Sequence, residues 1–533
     1  MRMKKRTAAR SMAALMGAAM VLTACGGGNT TAPTTGASSG GETQTASESA
    51  ESGKITKTDI VVGQASDIVT LDPAGQQDTT SGVLMKHAYS TLLDVDNEGK
   101  VVPDLAESCE MKSDTEYVFK LREDACFWDG TPVTAQDVKF SLDRAKGMPK
   151  TKSNTSKIEE VTVNGDHEVT IKLTEPYAAF KTIVTQHNLS ILSEKAVTEA
   201  GDSYGDVDNL LGSGPFKVTE WVPNDHYTLV RNDNYWGEMP IATSITCRVI
   251  PEGSARTIAL EAGEIDVVWS VDPTDCANVE SNPDVKLLSQ PSTGIDYVGM
   301  NTQKEKFSDK RVRQAINYAL DKQTFVDTII EGRGLVANSY INAAIPGWTD
   351  EVEAYPYDPE KAKELLAEAG YPDGFECSIF VNGDLRTRSA QILQAQLADV
   401  GIKVDISTYE WGALLDTLNA GEHEMFLLGW SNTSFDPDGS TYQLFYSGNH
   451  GATGNRAFFS NDKVDELILS AQRESEESKR MELYKELQFV LHDESPWCPL
   501  YYKENNVGVR ADLKGFTLHA GAQHYLGNCH YEE

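Results

Sequence analysis

The chain reads as an α/β protein of more than one lobe, on three observations. Strand-like runs alternate with amphipathic helical runs. The body, residues 55–533, is long enough for two or more hydrophobic cores. No internal repeat divides it.

The elements follow in order. Residues 59–70 (DIVVGQASDIVT) read as a first strand and its exit, and 83–96 (VLMKHAYSTLLDVD) as a helix leading to a turn at Asn97-Glu98-Gly99. Tyr117, Phe119 and Leu121 alternate with Val118 and Lys120, the period of a half-buried strand. Thr134 stands where a helix cap should, with Asp137 three residues on, close to a capping box. Runs 158–163 and 169–173 predict a hairpin around Asn164-Gly165-Asp166, with His167 on the surface beside it. From Arg311 to Ile330 the apolar positions Val312, Ala315, Ile316, Ala319 and Leu320 recur on one helical face. Asp358-Pro359 opens another helix, with a stripe of Ala362, Leu365, Leu366 and Ala369 and a stop at Gly370. A third helix, 389–400, ends at Gly401 and feeds a strand at 402–406.

The N-terminus carries Arg2, Lys4, Lys5 and Arg6, then an apolar run, 12–24, too short to span a membrane. This is the pattern of a secretory signal. Leu22-Thr23-Ala24-Cys25 resembles the lipobox of bacterial lipoproteins, which implies cleavage before Cys25 and a diacylglyceryl thioether on it. Buried acyl chains contribute about 0.8 kcal/mol per methylene, and two chains suffice for stable anchoring. Residues 26–54 hold no large apolar side chain and read as a disordered, flexible tether between lipid and body.

Eighty acidic residues face 47 basic ones, and the signal segment removes five of the basic ones. Without a basic stripe, nucleic acid is excluded as a partner. With Cys25 lipidated, seven cysteines remain, an odd number, so at least one stays unpaired. The spacings fix no pair; Cys247–Cys276 and Cys498–Cys529 are candidates. The chain lacks CxxC, HExxH, GxSxG, P-loop and GxGxxG patterns, so no enzyme, cofactor or metal site is expected. His492-Asp493-Glu494 reads as a solvated helix end.

Seven segments carry a resemblance: 105–108 with YVFKLRED, FWDGTPVTAQDVKFSLDRA (127–145), GSGPFKVTEW (212–221), RNDNYWGEMP (231–240), ALEAGEIDVV (259–268), DKRVRQAINYALDK (309–322) with YDPEKAKELLAEAGY (357–371), and QAQLADVGIKVDI (394–406). In that order they resemble the family 5 solute-binding proteins of ABC importers, which serve peptides, glutathione, nickel chelates and some sugars. The resemblance implies a two-lobed, type II periplasmic-binding-protein-like α/β fold with an extra small domain and a ligand cleft at the hinge. Mapped here, domain I is 55–75, 209–293 and 501–533, domain II is 76–208 and domain III is 294–500. The implied function is capture of a short peptide or peptide-like solute at the outer face of the cytoplasmic membrane. Delivery is to a permease with ATPase subunits, by a monomeric, lipid-anchored receptor. A nickel chelate, glutathione or an oligosaccharide is the alternative cargo.

The segment from Trp411 through 427–445 (LLGWSNTSFDPDGSTYQLF) combines aromatics, small polar side chains and a Pro turn after an apolar run, and reads as the pocket segment. In dipeptide-binding members an aspartate three residues beyond a Gly-Trp pair meets the ligand ammonium. Here Gly429-Trp430 is followed at that spacing by Thr433, with Asp436 as a nearby substitute. The same members hold the peptide carboxylate with an arginine at a helix head, which places Arg388, and next Arg386, in that role. Trp411 and Trp430 are expected to stack on or wall a ligand side chain, and Tyr409 is a further candidate. His423 and His450 are the histidines a nickel chelate would call on.

Overall fold

The computed structural model describes residues 54–533. The signal segment, Cys25 and the tether as far as residue 53 lie outside the described residues. An eleven-stranded sheet runs through the body. At its centre two long strands, Val285–Met300 and Trp497–Arg510, pair antiparallel along their length. Their lower ends, 285–291 against 504–510, join a half-sheet of Val267–Val268, Asp59–Gln64, Ser244–Val249, His226–Arg231 and Phe216–Val222. Their upper ends join Met425–Ser431, Phe375–Val381 and Ile402–Thr408. Each half-sheet with its helices is one lobe.

The pairing of the two long strands breaks between Pro291 and Ile295, and again between Asp296 and Tyr297. Pro291 has no N–H to give a ladder. Ser292 stands in for backbone there: its Oγ donates to the Lys503 carbonyl at 2.7 Å and accepts from Gly294 N at 3.0 Å. The passage between lobes is therefore ordered but weakly laddered.

A third body is separate. Ala106–Ser113, Glu116–Leu121, Glu168–Leu173 and Ile158–Gly165 form a four-stranded antiparallel sheet. Helix Ala135–Lys146 packs across it, opened by the Thr134/Asp137 capping box that the sequence spelled out. Tyr117, Phe119 and Leu121 are buried on one face of that sheet, as their alternation requires. The hydrophobic cores are partitioned. One holds residues 92–191 of the small body, two belong to the lower lobe, the smaller of them around Leu260 and Cys276, and two lie in the upper lobe between Ile295 and Tyr502.

Asp358 caps Pro359–Glu368, with Ala362, Leu365 and Leu366 buried and Gly370 at φ +94°. Other readings need correction. The run 83–96 is a helix only as far as Ala88, within Thr79–Ala88; Leu93–Val95 is a strand. Its partner Val101–Pro103 lies across the turn, and this pairing overrides the helical pattern. The run 311–330 is two helices, Lys310–Ala319 and Lys322–Thr328. Leu320 is extended between them, where Asp321 N donates to Gln396 Oε1 instead of continuing the helix. The helix read from Ser389 starts at Gly383. All seven described cysteines are free thiols, so neither candidate disulfide forms. The members of each supposed pair sit in different cores. Burial pushes the Cys247, Cys377 and Cys529 thiols up to about 12.

Burial also holds six histidines neutral: His87, His423, His492 and His519 are pushed down to about 4, and His187 and His524 to about 3. Their stabilising contribution is complete above the ordinary histidine value of about 6.5 and is lost as pH falls towards 4. Asp78, Asp104 and Asp438 act oppositely, since burial raises them, Asp104 to about 7 and Asp438 to about 6, and so do the histidines His226 and His530, raised by Glu220 and by the Asn528 carbonyl. The six buried imidazoles outweigh these, so the melting temperature should fall by several degrees from about pH 7 to about pH 5, as read by calorimetry. A flat profile would contradict the burial of these imidazoles. Titration of the denatured body without reductant should find all seven thiols, and a lower count would reveal a disulfide.

Candidate functional site

A cavity of about 400 Å³ lies where the three bodies meet. One wall comes from the start of helix Thr79–Ala88, from Asn154 and Gln186 of the small body, and from Trp269 just after its short strand. The facing wall is upper lobe: Arg386, Trp411, Leu415, residues 428–431, Thr433, Gln443 and Arg456. The floor is the stretch Lys503–Asn506 of the long strand itself. A ligand here touches both lobes and the strand joining them.

The charges of this site are placed by strand and helix geometry. Asp296, on the long strand, is almost fully buried; Lys503 Nζ lies 2.8 Å from its Oδ2 and Arg386 Nε 3.8 Å from its Oδ1. Gly429 makes room for that carboxylate, since a Cβ there would stand 3.0 Å from Asp296 Oδ1. Arg386 also donates to Asn382 Oδ1 at 2.7 Å and lies over the Trp411 ring at 5.9 Å. Arg333 pairs with Glu280 at 2.7 Å. Asp78 caps its helix through Oδ1, which accepts from Ser81 N at 2.9 Å, while its Oδ2 is buried without a partner. Burial raises the Asp78 carboxyl above its ordinary range. Trp411 Nε1 is likewise buried and unpartnered at the cavity wall. Trp430 is fixed by its Nε1 donating to Gly439 O at 3.1 Å.

Of the residues read from sequence, Arg386, Trp411, Trp430 and Thr433 line the cavity together. Thr433 Oγ1 reaches across to donate to Gln186 Oε1 at 2.9 Å. Arg388, Asp436 and Tyr409 stand outside the lining. Arg388 makes two bonds to Asp272 of the lower lobe, at 2.7 and 2.9 Å. Asp436 is buried against the Arg480 guanidinium. Tyr409 packs on Phe380 with ring centroids 4.9 Å apart. His423 and His450 turn inward, and the Nε2–H of each donates to a backbone carbonyl, that of Arg456 at 2.8 Å and that of Phe459 at 3.0 Å.

Sequence reasoning missed Asp78, Lys503 and Arg456. Asp78 had a local signal, an Asp before Thr79-Thr80-Ser81 that reads as a helix cap. Lys503 and Arg456 carried none. Polar pairs join the upper lobe to its neighbours around the cavity: Arg388–Asp272 to the lower lobe, and Thr433–Gln186, Asp438 with Tyr177 Oη at 2.5 Å and Tyr442 Oη with Ser156 at 2.9 Å to the small body.

The model of the bacterial extracellular solute-binding proteins, family 5, matches residues 100–452. A glutathione-binding protein, GsiB, of Shigella boydii is 31% identical over 479 residues, 86% of this chain and 92% of that protein. A dipeptide-binding protein of Escherichia coli K12 is 30% identical, covering 81% and 86%. The Helicobacter pylori periplasmic binding protein DppA, solved with the peptide STSA, superposes with a TM-score of 0.85 at 28% identity, over 90% of this chain and 99% of that one. Its architecture is the same two-lobed fold with an extra small domain.

The Arg388–Asp272 pair joins lobes without lining the cavity, so it should act on closure. Arg388 is 34% exposed, and such a pair is worth about 0.2–1 kcal/mol. Arg388→Ala and Asp272→Ala should each weaken retention of the co-purified ligand by less than about tenfold, and the double variant no further. Additive losses in calorimetry would contradict the latch.

Proposed function

Because the chain belongs to the family 5 extracellular solute-binding proteins, we propose that it captures a short peptide or peptide-like solute outside the cytoplasm and hands it to an ABC importer. The observation that carries this reading is the cavity between separately cored lobes, built of indoles, amides and opposed charges on the strand that links the lobes. Indole faces accept varied side chains, and amides such as Gln186, Gln443 and Asn505 suit a peptide backbone, which both donates and accepts. Closure of the lobes around the solute creates the surface a permease reads.

Within the site, Arg386, Trp411, Trp430 and Thr433 are assigned to ligand contact and Arg388 to closure. Thr433 supplies a hydroxyl and no charge, so the cargo ammonium does not find its acid there; two acids line the cavity, Asp78 with a free buried oxygen on the wall and Glu504 on the floor. Glutathione, itself a modified tripeptide, is the second reading, favoured by the likeness to a glutathione-binding relative. Anchoring by a lipid on Cys25 would keep the receptor at the outer face of the membrane, close to its permease.

Native mass spectrometry of the gently purified body should find one peptide-sized adduct per chain, released on denaturation. Metal or sugar adducts in its place would overturn the peptide reading. Calorimetry with reduced glutathione against mixed dipeptides separates the two cargoes. In cells, Cys25→Ser should move the protein from the membrane fraction to the soluble one; a variant still held on membranes would refute the lipid anchor.

A further inference from the structure

The small body is fastened to its two neighbours by different means. Towards the lower lobe the joint is apolar: Trp128, Leu192, Val197 and Tyr204 are buried in the core that holds Phe216 and Tyr227 of the lower half-sheet. Arg144 adds two bonds to Asp72, at 3.0 and 2.6 Å, and Trp128 Nε1 donates to the Gly214 carbonyl at 3.2 Å. Towards the upper lobe no apolar cluster is shared among the described residues. Parting a shared apolar core exposes it to water, whereas polar pairs exchange for solvent at small net cost. The small body therefore travels with the lower lobe, and meets or leaves the upper one.

The meeting point is specific. Strand Glu168–Leu173 runs out into Thr174-Glu175-Pro176, which delivers two neighbouring donors. Tyr177 keeps its ring in the small body's core while its hydroxyl donates out of that body, to Asp438 Oδ2 at 2.5 Å. Ala178 N donates to the Gln472 carbonyl at 2.8 Å. The two acceptors are tied to each other, since Gln472 Nε2 donates to Asp438 Oδ1 at 2.9 Å. Asp438 opens helix Asp438–Phe445 and Gln472 lies in the last turn of helix Asp462–Arg473, so the grip falls on two regular elements. Beside it Glu175, held by Lys157 of its own body, also pairs with Arg473 of the upper lobe.

Asp438 is almost fully buried, and the nearby Arg480 guanidinium is bonded to Asp436 instead. Tyr177 thus supplies one of the two side-chain donors that meet the Asp438 carboxylate. A buried carboxylate short of a donor is costly, so loss of the Tyr177 hydroxyl favours the parted seam, where water takes its place. Tyr177, Ala178, Asp438 and Gln472 all stand outside the cavity lining. We propose that the small body is a clasp: carried by the lower lobe, it grips the upper lobe at Asp438 and Gln472 and holds the receptor closed without touching cargo. The clasp sets how long the lobes stay shut and leaves selection to the cavity. This rests on lobe closure and on no assignment of the cargo.

Hydrogen exchange read by mass spectrometry tests the clasp on the gently purified body, with Tyr177→Phe and Tyr177→Phe/Arg473→Gln set against the wild type. Residues 174–180 report the seam, because an upper-lobe carbonyl protects the Ala178 amide. Exchange there should be about tenfold faster in Tyr177→Phe, and faster still in the double variant. Exchange in Glu116–Leu121 and Phe216–Val222, inside the two bodies, should keep its wild-type rate. The double variant should also show a larger radius of gyration at equal mass. Unchanged exchange at 174–180 in the double variant, or faster exchange with an unchanged radius, would overturn the clasp. If Tyr177→Phe speeds exchange in Glu116–Leu121 as well, the small body itself has loosened, and Ser156→Ala/Arg473→Gln decides by the same two readings. That pair removes the bonds to Tyr442 and Glu175 from two exposed positions and disturbs neither core.

Discussion

Two antiparallel strands, 285–300 and 497–510, constrain everything the cleft can do. They are the centre of the one large sheet, and their two ends belong to different lobes. Their ladder is interrupted around Ser292, Thr293 and Gly294, where Ser292 replaces backbone bonds with its own hydroxyl. The interruption concentrates bending in a few residues, and the same strands place Lys503 on the cavity floor, paired with the buried Asp296 behind it. A ligand that reorganises this ion pair acts directly on the element that sets the angle between the lobes.

The seams beside that hinge are built to part. Each lobe and the small body completes its own hydrophobic core, so opening exposes little apolar surface. What crosses the seams is polar: a carboxylate with an arginine, a threonine with a glutamine, a tyrosine with a carboxylate. In water such pairs exchange for solvent at small net cost. A ligand that adds contacts to both walls can tip the balance towards closure by its differential affinity for the closed form.

Much of this fold was legible where the signal is local. The Thr134/Asp137 box and the Asp358-Pro359 start declare themselves in a few residues, because capping is chemistry between neighbours. The strand Leu93–Val95 did not, because it exists through pairing with Val101–Pro103, and the helical pattern upstream ran into it. The split at Leu320 was hidden similarly, since the apolar stripe continues while Gln396 captures the Asp321 amide. Site residues divide on the same principle. Arg386 and Arg388 are two positions apart on one helix, so they face nearly opposite sides, and only geometry shows that Arg386 turns to the cavity while Arg388 turns to Asp272. Asp436 sits in the pocket segment by sequence yet is spoken for by Arg480 from a helix more than forty residues on. Arg456, brought to the cavity by its loop and held there by Asn419, has no local signature at all.

Ligand capture depends on the hinge more than on any single contact. Small-angle X-ray scattering of the ligand-stripped body, repeated after adding back the material it co-purifies with, addresses the hinge directly. A smaller radius of gyration with ligand, at unchanged molecular mass, is the predicted result. Superimposable profiles with and without saturating ligand would mean that the two lobes do not close on their cargo, and would contradict the mechanism.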